Sequence, residues 1–153
     1  MEDTRKPPAA IEQFTHRHRE VIRWGDMDSF GHVNNVQFFR YLESARIAYA
    51  LKIIAHEVKS KGESVILADM RCTFHQQLLW PGELDLYTRT ARLGRSSIEL
   101  EQLICRADET DAVATAESVL VWFDFHAQRP APIPDALRER VLSSESVPPT
   151  SRA

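Results

Sequence analysis

Two aspartates stand two residues apart in the run Arg23-Trp-Gly-Asp-Met-Asp-Ser-Phe-Gly-His-Val-Asn-Asn35, directly ahead of a long helical pattern. The first amides of a helix have no intrahelical acceptor and carry the positive end of its dipole, so they can hold an anion or a developing oxyanion. A carboxylate set beside them, here Asp28, can attack an activated carbonyl as a nucleophile or activate a water as general base. A turn aspartate can equally serve only as acceptor for backbone amides. His32, in the same run, can orient Asp28 or a water, or cap the turn.

A second group lies at Arg92-Leu-Gly-Arg-Ser-Ser97. Gly94 permits a tight bend, Arg95 can pair with a phosphate, and the Ser96 and Ser97 hydroxyls with nearby amides can complete an anion cradle. Other motifs carry less. Asp26-x-Asp28-x-x-Gly31 copies the opening of a calcium loop, but Phe30 and Gln37 stand where an oxygen ligand and a bidentate glutamate are needed. No Gly-x-Ser-x-Gly elbow occurs, and His56-Glu57 lacks the second histidine of a zinc protease. His16 and His18 share a strand face without a third ligand, which suits a surface position, and no metal site is expected. Cys72 and Cys105 sit in apolar runs without a C-x-x-C pair and read as buried thiols.

These groups must be positioned by a modest number of elements. The 153 residues fit one domain able to bury a core without staples. The pattern gives a first strand over about 14–24, a helix beginning at Asn34 or Asn35, and strand-like runs at about 64–76, 83–93, 96–107 and 111–126. Phe38, Leu42, Ala45 and Tyr49 fall at helical spacing, and Val36, Phe39, Ala48 and Leu51 widen that face, so the helix is expected to be largely enclosed. Glu43 and Arg46 read as an intrahelical ion pair. Hairpin-sized gaps around Gly94 and Asp108–Asp111 predict an antiparallel meander for the last three strands, giving an α+β plan in which a sheet wraps a central helix. Asp135–Leu142 can form a short final helix. The domain is expected over 13–142, with a flexible N-terminal segment (1–12) and a flexible C-terminal tail (143–153).

The formal net charge of −3 gives no reason to expect nucleic acid or an anionic membrane as partner. The N-terminus lacks the apolar core of a signal peptide, and no run approaches the ~20 apolar residues of a membrane span. A cytoplasmic location follows by default.

Gly25-Asp-Met-Asp28, Gly31-His-Val-Asn-Asn35 and Tyr41-Leu-Glu-Ser-Ala-Arg46 resemble the signature of hotdog-fold acyl-CoA thioesterases of the 4-hydroxybenzoyl-CoA thioesterase type. Pro81-Gly82 and Leu93-Gly-Arg-Ser-Ser-Ile98 extend the resemblance, which covers roughly residues 15–126. It implies a hotdog fold with the element order given above and hydrolysis of an acyl-CoA to acid and coenzyme A. Coenzyme A is then part of the substrate, and no cofactor is implied. The resemblance makes Asp28 catalytic and Asp26 supporting, and sets the carbonyl oxygen against backbone N–H groups around Val33, Asn34 and Asn35. Donors so placed can lower a barrier by about 3–4 kcal/mol. It assigns the coenzyme A phosphates to Arg95, Ser96 and Ser97, and implies self-association as a dimer or a dimer of dimers with sites at the interface. Phe30, Phe38 and Tyr41 are candidates for the acyl pocket. The alternatives are a non-catalytic acyl-CoA-binding protein, in which Asp28 only caps the turn, and a hotdog hydratase or dehydratase. The last would want a histidine and an acid set for α-proton chemistry, and no Asp-x-Asn-x-x-His pattern surrounds Asp28.

Overall fold

Strand β1 (His16–Ile22) is followed by a 3-10 turn (Trp24–Asp26) and the long helix α1 (Asn35–Ile53). Strands β2 (Glu63–Phe74), β3 (Gly82–Leu93), β4 (Ser97–Arg106) and β5 (Ala112–Asp124) come next. The chain ends with the two-residue β6 (Arg129–Pro130), helix α2 (Asp135–Ser144) and the two-residue β7 (Thr150–Ser151). This is a computed structural model describing residues 10–58 and 62–151.

The principal strands lie in the order β1-β3-β4-β5-β2, each pairing antiparallel with its neighbour. The expected meander is β3-β4-β5, whose short connections leave no room for a crossover. Strand β2 does not join it at β3. It pairs along β5 from Glu63↔Asp124 to Phe74↔Ala114, at the far edge of the sheet.

The sheet curls around α1 because the period-2 alternation of each strand meets the apolar stripe of the helix. Toward the start of α1, Phe38, Tyr41, Leu42 and Ala45 pack with Ile22, Val33, Leu78, Leu84, Leu86 and Ile104. Toward its end, Tyr49 and Ile53 pack with Leu93, Ile98, Leu100, Leu120 and Trp122, and α2 adds Leu137 and Val141. Between the two clusters Gln102 Nε2 donates to Leu42 O (3.1 Å) and Thr88 Oγ1 (3.0 Å), pinning the middle of the helix to the sheet. On the opposite sheet face Phe14 covers Leu103 and Cys105. Both cysteines are free, Cys105 buried and Cys72 partly so, and burial pushes each thiol up to about 11.

Three expectations need correction. Helix α1 is not enclosed by its own chain: Val36 is 59 %, Ile47 51 % and Leu51 65 % exposed, because the sheet wraps only part of its circumference. Glu43 pairs with Arg40 at 3.2 Å and not with Arg46, whose Nη1 instead turns inward against Met70 Sδ (3.6 Å). Of the expected flexible tail, residues 144–151 are tied down rather than loose, and 152–153 lie outside the described residues. Glu145 is buried and accepts from Tyr49 Oη (2.7 Å) and Thr90 N–H (2.8 Å), while Thr150 and Ser151 pair in parallel with Arg92 and Leu93. At the other end, Ile11–Gln13 forms a 3-10 turn, and residues 1–9 of the expected flexible segment lie outside the described residues.

Candidate active site

Residues 23–35 form a compact double turn between β1 and α1. Asp28 N–H donates to His32 O (2.9 Å) and Gly31 N–H to Asp28 O (3.1 Å), closing a loop whose ends bridge at Met27 and Val33. Gly31 has φ +81°, a left-handed conformation that glycine adopts without steric cost.

Asp26 is buried and structural. Its Oδ2 accepts from Arg23 N–H (2.8 Å) and from Tyr41 Oη (2.5 Å), anchoring the turn to the first third of α1. Burial, reinforced by the Asp26 carboxylate, pushes the Tyr41 phenol far above its ordinary range. Asp28 is only partly buried. Its Oδ1 accepts from Phe30 N–H (2.9 Å), the turn-capping role open to any aspartate here. Its Oδ2 accepts from Asn34 Nδ2 at 3.3 Å, a long bond that leaves this oxygen lone-pair capacity.

Asn34 is the N-cap of α1, with its Oδ1 accepting from Val36 N–H at 2.9 Å. The amides around it divide unequally. Val33 N–H donates to Leu78 O (2.9 Å), Asn34 N–H to Asp26 O (3.0 Å) and Gln37 N–H to Asn34 O (2.9 Å). Two of the three amides expected to face a ligand are therefore committed within the fold. Asn35 N–H is the one left without an acceptor among the described residues. The His32 side chain is partly buried and has no hydrogen-bond partner among the described residues.

Arg95, Ser96 and Ser97 fall elsewhere. They form the β3–β4 turn, where Gly94 N–H donates to Ser97 O (2.8 Å), Trp122 N–H to Ser96 O (2.7 Å) and Ile133 N–H to Arg95 O (2.9 Å). The Asp28 turn packs at the Gly82 end of β3, and this turn follows its Leu93 end. At about 3.3 Å per residue, roughly 35 Å of strand separates them within one chain. The acyl-pocket candidates do not share a cavity wall either: Phe38 and Tyr41 are buried in the core, whereas Phe30 is 85 % exposed.

Sequence reasoning missed Leu78, whose carbonyl holds Val33 and docks the segment 75–81 on the turn. A backbone carbonyl carries no residue identity, so only the nearby Pro81-Gly82 hinted at it. Apolar side chains next to these contacts, Trp24, Phe30, Leu79 and Trp80, are exposed. Among the described residues no three or more His, Cys, Asp or Glu side chains are grouped to hold a metal ion. No helix among the described residues is long and apolar enough to cross a membrane.

A curled antiparallel sheet around one long helix, with an acidic double turn feeding that helix, defines the hotdog, thioesterase-like fold class. The chain belongs to the thioesterase-like superfamily, whose family model matches residues 22–141. It is similar to a Thermus thermophilus thioesterase solved in complex with coenzyme A and Zn, at 36 % identity and a TM-score of 0.78 over 90 % of this chain and all of that one. It is also 32 % identical over 90 residues to the uncharacterized protein YsmA of Bacillus subtilis, covering 59 % of this chain and 60 % of YsmA. A chloroplastic acyl-acyl carrier protein thioesterase of Arabidopsis thaliana, ATL3, is 23 % identical over 79 % of this chain and 64 % of its own length. The chain thus spans about 60–64 % of the length of these two curated relatives.

Proposed function

We propose that this protein hydrolyses an acyl-CoA thioester to the free acid and coenzyme A, with Asp28 as the catalytic carboxylate. The observation that carries this reading is the pairing of a half-free Asp28 oxygen with one uncommitted amide, Asn35 N–H, at the start of α1. A thioester suits so small a set of groups, because its carbonyl is readily attacked and its thiolate leaves without strong acid assistance. As nucleophile, Asp28 would add to the carbonyl and expel the thiolate, forming a mixed anhydride that water then cleaves. As general base, it would take a proton from the water that attacks directly. Either path puts negative charge on the carbonyl oxygen, and Asn35 N–H is the donor for it.

The thioesterase relative bound to coenzyme A supports that nucleotide as the leaving group. Arg95, Ser96 and Ser97 serve its phosphates, and the length of β3 supports their reaching Asp28 from a second copy. Self-association is consistent with the exposed apolar stripe of α1, and with β2 lacking an outer strand partner among the described residues. The plant relative favours a second substrate form, an acyl group carried on a protein. The hydrogen bond from Phe30 N–H to Asp28 favours the non-catalytic alternative, in which the carboxylate only shapes the turn.

Thiol release from a panel of acyl-CoAs, compared between the native chain and Asp28→Asn, tests the proposal. Turnover that drops at least about a hundredfold in a folded variant is expected for loss of the catalytic group. Arg95→Ala should raise KM for acyl-CoA but not for the matching acyl-pantetheine. An absence of native turnover on acyl-CoA and acyl-carrier substrates alike would leave the binding protein as the answer.

A further inference from the structure

A second polar concavity lies away from Asp28, between edge strand β1 and the flank of α1. It is a small, solvent-open cleft of about 60 Å³, walled by His16, Arg17, His18, Tyr49, Lys52 and Thr88. Its origin is legible residue by residue. Strand alternation puts His16 and His18 on one face, helical spacing sets Ala45, Ala48, Tyr49 and Lys52 opposite, and the two alanines leave the room.

The His16 ring stands edge-on to Tyr49, 4.9 Å between centroids, with both nitrogens buried and without a hydrogen-bond partner. Buried polar atoms are nearly always paired, and an orphan of this kind commonly marks a missing water or ion. The Ser144 backbone carbonyl bears on the ring and favours its protonated form, but neither nitrogen completes a hydrogen bond with it. Tyr49 Oη is spent on Thr90 Oγ1 (2.6 Å) and Glu145 (2.7 Å), and Thr88 Oγ1 already accepts from Gln102. Lys52 has no carboxylate partner among the described residues. The charged groups around His16 are Lys52 from α1, Arg17, His18 and Glu20 from its own strand, and Glu145 beyond Tyr49. Glu20 is engaged by His18 (3.5 Å) and Arg23 (3.9 Å).

We propose that this cleft binds a small oxyanion, a carboxylate or a phosphoryl-like group, between the Lys52 ammonium and the His16 imidazole. Burial and the Lys52 charge now hold the His16 pKa below its ordinary value. An anion between them offsets the second effect, so binding and protonation of His16 reinforce each other.

Sulfate and acetate, whose charges do not change between pH 6 and 8, are titrated separately into the full chain at constant ionic strength. Calorimetry and the histidine imidazole resonances are followed together. Saturable binding at least about fivefold tighter at pH 6 than at pH 8, moving the His16 resonances, is expected from this coupling. Lys52→Met, at an exposed position that leaves the fold intact, should weaken it at least about tenfold. A response to sulfate alone identifies a phosphoryl-like ligand, and a response to acetate identifies a carboxylate. No movement of His16 with either anion, or binding unchanged by Lys52→Met, overturns the proposal. The readout needs no turnover, so it stands or falls independently of the reaction at Asp28.

Discussion

Asn34 Nδ2 lies 3.3 Å from Asp28 Oδ2 while Oδ1 of the same side chain accepts from Val36 N–H at 2.9 Å. The cap requires the oxygen to face the helix, so the NH₂ must face the carboxylate. One asparagine therefore couples helix initiation to the orientation of the candidate catalytic group.

Asn34→Asp separates these two duties. Aspartate caps a helix about as well as asparagine, so the fold should survive. It cannot donate to Asp28, and it sets a like charge beside it, which disfavours ionisation of Asp28. Turnover should fall at least about tenfold at pH 7, with the acid limb of the kcat/KM profile moved to higher pH. A profile that keeps its shape would show that Asn34 acts on stability alone.

Tyr41 and Tyr49 link stability to alkaline pH. Burial first, then Asp26 for one and Glu145 for the other, raises each phenol above its usual value of 10.0. With folded values above unfolded ones, their contribution is complete below pH 10 and is lost as pH climbs further. Thermal melts should hold from pH 7 to 9 and drop beyond about 10. Tyr41→Phe should cost about 1–3 kcal/mol at pH 7, since buried Asp26 loses a donor.

Deleting residues 145–153 distinguishes an anchored segment from a loose tail. Burial raises the Glu145 carboxyl above its usual 4.5, so the neutral form is the one the fold prefers. A raised folded pKa gives stability that is full below the unfolded value and declines as pH rises through the folded one. The deletion should therefore cost about 2 kcal/mol or more at pH 5, and less at pH 8. Urea melts at the two pH values measure this, and equal stability with and without the segment would contradict the anchoring.

Arg46 is 8 % exposed, and among the described residues the one hydrogen bond its guanidinium makes is to Met70 Sδ. Burial disfavours this cation more than the nearby Glu43 carboxylate favours it, and an apolar residue of similar length in such a place is often neutral or better. Arg46→Met should therefore leave the protomer at least as stable. If a second copy supplies the missing acceptors, the same change should weaken self-association about tenfold or more, which sedimentation equilibrium will read. An unchanged association constant would take Arg46 out of the interface.

The elements and their kind follow from local pattern. Period-2 runs gave the five principal strands to within two residues, the apolar helical spacing gave α1, and its cap was narrowed to Asn34 or Asn35, of which Asn34 serves. These are local effects, set by side-chain alternation, capping chemistry and the turn preferences of glycine and aspartate. The motif around Asp28 was legible for the same reason, since all its residues are neighbours in the chain.

Relationships between residues far apart in the chain emerge from the fold. Pairing of β2 with β5 rather than β3 is a choice among edges that alternation cannot make. Leu78 O and Asp26 O remove two amides from the helix start, leaving Asn35, because backbone groups satisfy one another across loops without any mark in the sequence. The 35 Å or so of strand β3 divides Asp28 from Arg95, although one family signature spans both. Arg46 left Glu43 for the interior because the sheet curls over that side of α1, and Glu145 became an anchor because Tyr49 and Thr90 offer it donors from two other elements.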